Sequence, residues 1–506
     1  MTKPKPQHNP HSDHIAAIDL GSNSFHMIVA RDENGSLQVI DRLRESVRLG
    51  AGLDENNNLN QESQRVALDC LQRFGERLKN IDPHKLRIVG TNTLRNATNS
   101  AEFLQQAEDL LGQSVEIISG MEEARLIYLG VTHSLAIADQ RRLVMDIGGG
   151  STEFIIGEGF RPQKMESLPM GCVSFTQRFF ADGKITKERI EKATLAAMLE
   201  LEGIAHDYIE SGWDQAVGAS GSIKAINKVV CAQGWSSDSI TRKSLKALRK
   251  EIMQADHMDA LNLKGLSDER RSVFVAGFVV LHAAFEVLKI DHMLVSDGAV
   301  REGLLYDLLG RHKHEDVFET TIANMQQRYH VDMPQAQAVE KTALALLDKA
   351  ASNWSFDMEL HGSLLSWAAR LHELGLDIAH NDYHKHGAYI ALNADMPGFS
   401  LQQQQMLATL IRVHRRKITP ELFNSLTKKQ RQPVMRLAIL LRLAVILQRT
   451  RQHLPDDIHK VDIGENSLTL YFHQDWCDSH TLTLTDLQLE AELLKPMQVE
   501  LSCVCD

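Results

Sequence analysis

The chain has 506 residues, 43% hydrophobic and 24% charged. That predicts about three or four domains with real cores, and it excludes a mainly disordered, collagen-like or Pro-rich chain. A formal charge of −11 excludes a whole-surface nucleic-acid binder, so any polyanion must meet a local basic patch. Six scattered cysteines (Cys70, Cys172, Cys231, Cys477, Cys503, Cys505) show no paired CxxC spacing and predict free thiols in a reducing cytosol.

In chain order, residues 1–13 are polar, with no apolar core of the secretory kind, and predict a flexible arm. Ile15–Ile18 reads as a strand ending in Asp19 and a Gly/Ser/Asn cluster. Phe25–Arg31 reads as a second strand, and Asp32–Ser36 (DENGS) as a hairpin turn. Over 62–79, Val66, Cys70, Leu71, Phe74 and Leu78 share one helical face. Strands follow at Leu86–Thr91 and Val115–Ile118, then a helix from about Glu122. The grammar then repeats. Leu143–Ile147 runs into a Gly-rich turn and Glu153–Ile156, followed by a helix over 188–210. Ala216–Ala219 runs into Ser220-Gly221-Ser222, and His292–Val295 into Ser296-Asp297-Gly298. Two such units predict related α/β lobes, 14–125 and 126–311, around a cleft. Residues 312–453 predict an all-helical domain, and 454–506 a small α+β domain with strands at Ser467–His473, Thr481–Leu487 and Met497–Val504. The most apolar stretches, 273–288 and 437–447, are too short or too interrupted to span a bilayer.

Three loops of small residues are the candidate site. In Asp19-Leu20-Gly21-Ser22-Asn23-Ser24, backbone N–H groups and short polar side chains can face an anion. Asp19 cannot bind phosphate directly and points to a metal ion or an activated water. In Asp146-Ile147-Gly148-Gly149-Gly150-Ser151-Thr152-Glu153, the glycines allow close approach to a ligand. Asp146 and Glu153 offer two hard oxygen ligands to Mg²⁺. The third loop, with Gly221 and Ser222, is weak alone and gains weight as a companion.

These paired DxGSNS and DxGGGSTE loops resemble the actin–Hsp70–sugar kinase superfamily, and within it the exopolyphosphatase and guanosine-pentaphosphatase branch. Four further stretches agree: Gly90–Arg95 (GTNTLR), Ile118–Arg125 (ISGMEEAR), Met170–Val173 (MGCV) and Ser296–Gly303 (SDGAVREG). The resemblance implies two ribonuclease-H-like, actin-like ATPase lobes, followed by an HD-like helical domain and the small α+β domain. It implies that Glu123 activates a water against a terminal phosphorus and that Arg95 clamps phosphoryl oxygens. It implies Mg²⁺ on Asp19, Asp146 and Glu153, with K⁺ as a candidate activator, and phosphates on the loops at 21–24, 148–151 and 221–222. Water is the expected nucleophile, with no covalent phosphoenzyme.

The helical region holds His361, His372, His380, His384, His386 and His414. His372-Glu373 resembles the HD metal motif with Asp replaced by Glu, which breaks the ligand pattern and predicts a metal-free domain. Between Arg412 and Arg451 stand eleven basic residues opposed only by Glu421. This predicts a polyanion track including Arg412, His414, Arg415, Arg416, Lys417, Lys428, Lys429 and Arg431. With only Phe423 to stack on a base, RNA fits poorly.

The leading expectation is therefore an exopolyphosphatase that removes terminal orthophosphate processively from inorganic polyphosphate. Its rival is hydrolysis of guanosine pentaphosphate to tetraphosphate. Three details favour the first: GGGSTE where the guanosine branch tends to GGASTE, SDG where it tends to AGG, and the cluster His414-Arg415-Arg416-Lys417. An ATP-binding kinase would leave Glu123 without a role, and a pure polyphosphate or alarmone sensor would avoid four acids near its anion. The resemblance further implies a homodimer, and a cytoplasmic location with scope for peripheral attachment to the inner face of the membrane.

Overall fold

The computed structural model describes residues 14–33, 36–135, 140–312, 317–451 and 458–506. The expected arm at 1–13 and the centre of the DENGS turn lie outside the described residues. The chain divides into two units, 1–315 and 316–506.

In the first unit, β1 (His14–Leu20), β2 (Phe25–Glu33), β3 (Ser36–Glu45), β4 (Leu86–Gly90) and β5 (Glu116–Ile117) form a sheet of order β3-β2-β1-β4-β5. β1 pairs antiparallel with β2 and parallel with β4. Being central, β1 buries Ile15, Ala16, Ala17 and Ile18 in succession, hence its unbroken apolar run. The helices are α1 (Gln61–Leu78), α2 (Asn92–Asn96), α3 (Ser100–Leu111) and α4 (Gly120–Ser134). α1 starts where the Asn60 side chain accepts the Ser63 N–H, and it buries Cys70, Leu71, Phe74 and Leu78 as the spacing predicts.

The second sheet repeats the plan. β6 (Arg141–Ile147), β7 (Thr152–Glu158), β8 (Arg161–Leu168), β9 (Gln215–Ala219), β10 (Ile240–Thr241) and β11 (His292–Val295) lie in the order β10-β11-β9-β6-β7-β8. β6 pairs antiparallel with β7 and parallel with β9, as β1 does with β2 and β4. Around it are α5 (Cys172–Phe179), α6 (Lys187–Ser211), α7 (Ser220–Ala232), α8 (Arg242–Ile252), α9 (Asp268–Val287) and α10 (Val300–His312). Between the sheets, Leu126, Ile127 and Val131 of α4 and Leu304, Leu305 and Leu308 of α10 share one core with Ile15, Ala17, Val89, Val144 and Val217. The strand-end loops of both lobes thereby open onto one space.

The second unit holds α11 (Val317–Arg328), α12 (Met333–Ala350), α13 (Met358–Leu371), α14 (Tyr383–Asn393), α15 (Leu401–Val413) and α16 (Lys428–Leu447). A sheet of order β12-β13-β14 follows, from β12 (Ile458–Ile463), β13 (Ser467–Phe472) and β14 (Glu500–Cys505), with α17 (Gln474–Ser479) and α18 (Thr481–Leu494). Helices and sheet share one core, from Leu407 and Leu440 to Leu470 and Phe472.

Two expectations are corrected here. Thr481–Leu487 is not a strand but the start of α18. Its Thr/Leu alternation mimics period two, but Thr483, Leu487, Glu490 and Leu494 are buried at helical spacing. The cysteines are not all free: Cys477 and Cys505 form a disulfide. β14 runs parallel beside β13, pairing Cys505 with Phe472, and α17 starts directly after β13, which brings Cys477 back over the strand end. Cys70, Cys172, Cys231 and Cys503 are free.

Among the described residues, no helix is long and apolar enough to cross a membrane.

Candidate active site

A cavity of about 360 Å³ lies where the loops of the two lobes meet. Asp19, Gly21, Ser22, Asn23 and Ser24 line one side; Asp146, Gly148, Gly149, Gly150 and Ser151 line another; Glu123 sits between them. The glycines are set by close approach. A Cβ on Gly149 would stand 2.7 Å from Cβ of Ser22, and one on Gly150 2.0 Å from Oδ1 of Asn92. A side chain at Gly149 would press directly on Ser22, and one at Gly150 would displace the Asn92 side chain.

Glu123 is placed by α4. Ser119 caps that helix, its hydroxyl accepting the Glu122 N–H at 3.1 Å. The two adjacent glutamates then diverge. Glu122 turns back to grip Arg125 at 2.7 and 2.8 Å, whereas Glu123 faces the cavity. Its Oε2 is buried without a hydrogen-bond partner, and so is Oδ1 of Asp19.

Asp19, Glu123 and Asp146 line this space with Glu153 close behind, and burial dominates the chemistry of all four. Burial, reinforced by the neighbouring Glu153, holds Glu123 well above the usual carboxylate range, although Arg95 opposes it. Burial lifts Asp19 to about 7 against the pull of Arg301. It lifts Asp146 to about 6, opposed by a Ser220 hydrogen bond and Lys224. Glu153 rises to about 7 through burial and the charge of Asp146. Such a set stores repulsion that a hard divalent cation relieves.

A pH-dependent expectation follows. Each of these acids has a folded-state pKa above its unfolded one, so without metal their ionisation erodes stability as pH rises from about 4 to 7. A cation bound to the ionised set removes that cost. Mg²⁺ should therefore raise the melting temperature more at pH 8 than at pH 5.5, in a scan of the metal-free protein with and without the ion. An equal increment at both values would contradict the cluster as the metal site.

Several expected residues sit differently. Arg95 is not on the cavity wall; its Nη1 donates to the Ile118 carbonyl at 2.5 Å and lies 3.7 Å from Glu123 Oε2, so it acts on the glutamate. Glu153 stands behind the wall, accepting from Ser167 Oγ at 2.9 Å. Gly221 lines the cavity, but Ser222 is buried in the first turn of α7 with its hydroxyl unpartnered. Sequence reasoning passed over His26, Arg44, Lys224 and Arg270, all on the wall together with Arg301. Burial and then Arg301, Arg44, Arg270 and Lys224 drive the His26 imidazole down to about 2, so four cations share the cavity wall with the acids. Arg44 lies on β3 and Arg270 on α9, far in sequence from any glycine loop, and no local pattern marks them. Lys224 was findable, one helical turn after Ser220.

In the second unit, His414 is buried, its Nδ1 on the Ile411 carbonyl at 2.7 Å and its Nε2 3.4 Å from the Tyr383 hydroxyl. It cannot serve on a surface track. Arg415 packs over the Tyr383 ring. Arg442 is buried against Glu490, Arg449 pairs with Asp486, and Arg451 with Asp332 and Glu373. Arg442 is therefore withdrawn into the unit and Arg449 and Arg451 are paired at its surface, while Arg416, Lys417, Lys428, Lys429 and Arg431 remain exposed.

Comparison with known proteins gives a consistent picture. The profile of the Ppx/GppA phosphatase family matches residues 28–312, and that of Ppx/GppA phosphatase domain III matches 317–491. A Photobacterium profundum protein named guanosine-5'-triphosphate,3'-diphosphate pyrophosphatase is 40% identical over 96% of this chain and 97% of its own. A Vibrio vulnificus protein of the same name is 42% identical, covering 94% and 95%. Among solved structures, an exopolyphosphatase from Cytophaga hutchinsonii aligns with a TM-score of 0.54 at 23% identity, covering 59% of this chain and 98% of its own.

Proposed function

This chain belongs to the Ppx/GppA phosphatase family, as a hydrolase of phosphoanhydride bonds, and we propose that it removes the 5′-terminal phosphate of guanosine 5′-triphosphate 3′-diphosphate. The observation that carries this reading is similarity over 94–97% of each chain, at 40–42% identity, to relatives named guanosine-5'-triphosphate,3'-diphosphate pyrophosphatase. It corrects the expectation of inorganic polyphosphate as the main substrate. Two of the three details that favoured polyphosphate also bear on packing inside the protein. Gly150 lies against the Asn92 side chain, and His414 and Arg415 are engaged with Tyr383.

The cavity chemistry supports the reading. The N–H groups and short side chains of the two loops receive the 5′ phosphates. The cations Arg44, Lys224, Arg270 and Arg301 offset a heavily charged nucleotide. Unpartnered Asp19 Oδ1 beside Asp146 fits Mg²⁺, which would neutralise charge on the phosphates when bound; Glu153 supports the pair from behind. Glu123 takes a proton from water as its oxygen bonds to the terminal phosphorus. The bridging P–O bond breaks, its electrons stay on the departing diphosphate, and orthophosphate leaves. Arg95, beside Glu123, favours the ionised carboxylate that this step needs.

Turnover in ¹⁸O-water, followed by ³¹P NMR and mass spectrometry, tests the assignment. The account expects label in orthophosphate and an unlabelled guanosine 5′-diphosphate 3′-diphosphate. Release of pyrophosphate, or label in the nucleotide, would overturn it.

A further inference from the structure

The helix that carries Glu123 is anchored by a buried ionic clamp. We propose that Asp307 is a positioning residue for Glu123, fixing α4 against α10 through Arg125 and Arg87. This rests on Glu123 being the base of the reaction proposed above.

Asp307 lies on α10 and uses both carboxylate oxygens. Oδ1 accepts from Arg125 of α4 at 2.5 Å, and Oδ2 accepts from Arg87 of β4 at 2.5 Å. Arg125 is held in turn by Glu122, the neighbour of Glu123. Arg87 reaches Glu116 of β5 at 3.0 Å and lies 3.7 Å from Glu122. Five charged groups from two helices and two strands thus close one network, in which Arg87, Glu122 and Asp307 are buried. Such groups hold their geometry tightly, because an arginine fork that loses its carboxylate in a dry interior is left uncompensated.

The reason a clamp is needed lies in the contact between the helices. α4 and α10 meet backbone to backbone. A Cβ on Gly130 would fall 2.1 Å from the Ala299 carbonyl oxygen, and one on Gly303 1.9 Å from that of Leu126. At so close a crossing a shift of α10 is passed directly to α4, because packed interiors transmit strain. Both helices also present reacting groups at their N-terminal ends, Glu123 on α4 and Arg301 on α10, and both line the cavity. Asp307 sits within two turns of Arg301, and Arg125 two residues from Glu123. A shift at the clamp therefore changes the placement of Glu123 relative to the cavity wall, and displacements of about 1 Å can cost 10²-fold in rate.

The test compares Asp307→Asn, Asp307→Glu, Glu123→Gln and the Asp307→Asn/Glu123→Gln pair. The substrate is guanosine 5′-triphosphate 3′-diphosphate with Mg²⁺, and rates are normalised to sites that bind nucleotide. Asp307→Asn should lower kcat about 30-fold with KM within threefold. The double variant should be no slower than Glu123→Gln alone, because a group acting through Glu123 has nothing left to position. Asp307→Glu keeps the charge and, one methylene longer, should lower kcat about tenfold while melting near the wild type. The inference is overturned by Asp307→Asn turning over within threefold of wild type, by a loss shared with KM and site count, or by equal losses in both backgrounds. Full activity in Glu123→Gln would instead remove the reading of Glu123 as the base.

Discussion

Glu123→Gln should lower kcat by about 10³-fold, within the range for loss of a general base, while nucleotide binding stays within threefold of wild type. The amide keeps the shape of the side chain and cannot accept the proton of water. The same variant should be more thermostable than the wild type in the absence of metal. Glu123 is crowded by Glu153, Asp19 and Asp146 in a buried space, so removing one ionisable member relieves repulsion that folding otherwise bears. Loss of activity with a gain in stability is a pairing that simple misfolding does not produce. It is checked by single-turnover rates, nucleotide titration and melting at pH 8. A variant that turns over normally, or that loses both binding and stability, would contradict the role.

Asp146→Asn should be nearly as damaging by a different route. Asp146 ends β6, pairs there with Glu153 of β7, and lines the cavity. Replacing it removes a negative oxygen from the proposed Mg²⁺ set, and at low millimolar Mg²⁺ kcat/KM should fall by about 10²-fold or more, the loss of a few kcal/mol of charge stabilisation. Raising Mg²⁺ should restore part of the rate in Asp146→Asn and none in Glu123→Gln. A Mg²⁺ titration of all three proteins separates the two roles. Unchanged Mg²⁺ dependence in Asp146→Asn would remove Asp146 from the metal set.

The duplicated plan of the lobes was legible because each copy writes the same local grammar, an apolar strand, an acid, a glycine loop and a second strand. Both copies deliver their acids, Asp19 and Asp146, to one cavity. What stayed hidden needed three-dimensional adjacency. Arg44 and Arg270 come from β3 and α9, and only the closed fold brings them to the wall. β3, β8 and β12 escaped notice because they mix polar and apolar residues without a clean run. The α18 error came from β-branched threonines whose alternation runs only through Thr485, little more than the first turn of a 14-residue helix. The basic run between Arg412 and Arg451 is only partly the free charge that its sequence suggests. Sequence counts charge, but Arg442 is buried on Glu490, and Arg451 reaches back to Asp332 and Glu373. Gly150 lies against the Asn92 side chain, a contact between lobes that the sequence did not show.

Orthophosphate release with Mg²⁺ distinguishes the two candidate substrates. Guanosine 5′-triphosphate 3′-diphosphate and long-chain inorganic polyphosphate should be compared at matched concentrations of phosphate ends. The account predicts a higher kcat/KM for the nucleotide, by tenfold or more. Faster release from the polymer, with no intermediate lengths accumulating, would contradict it.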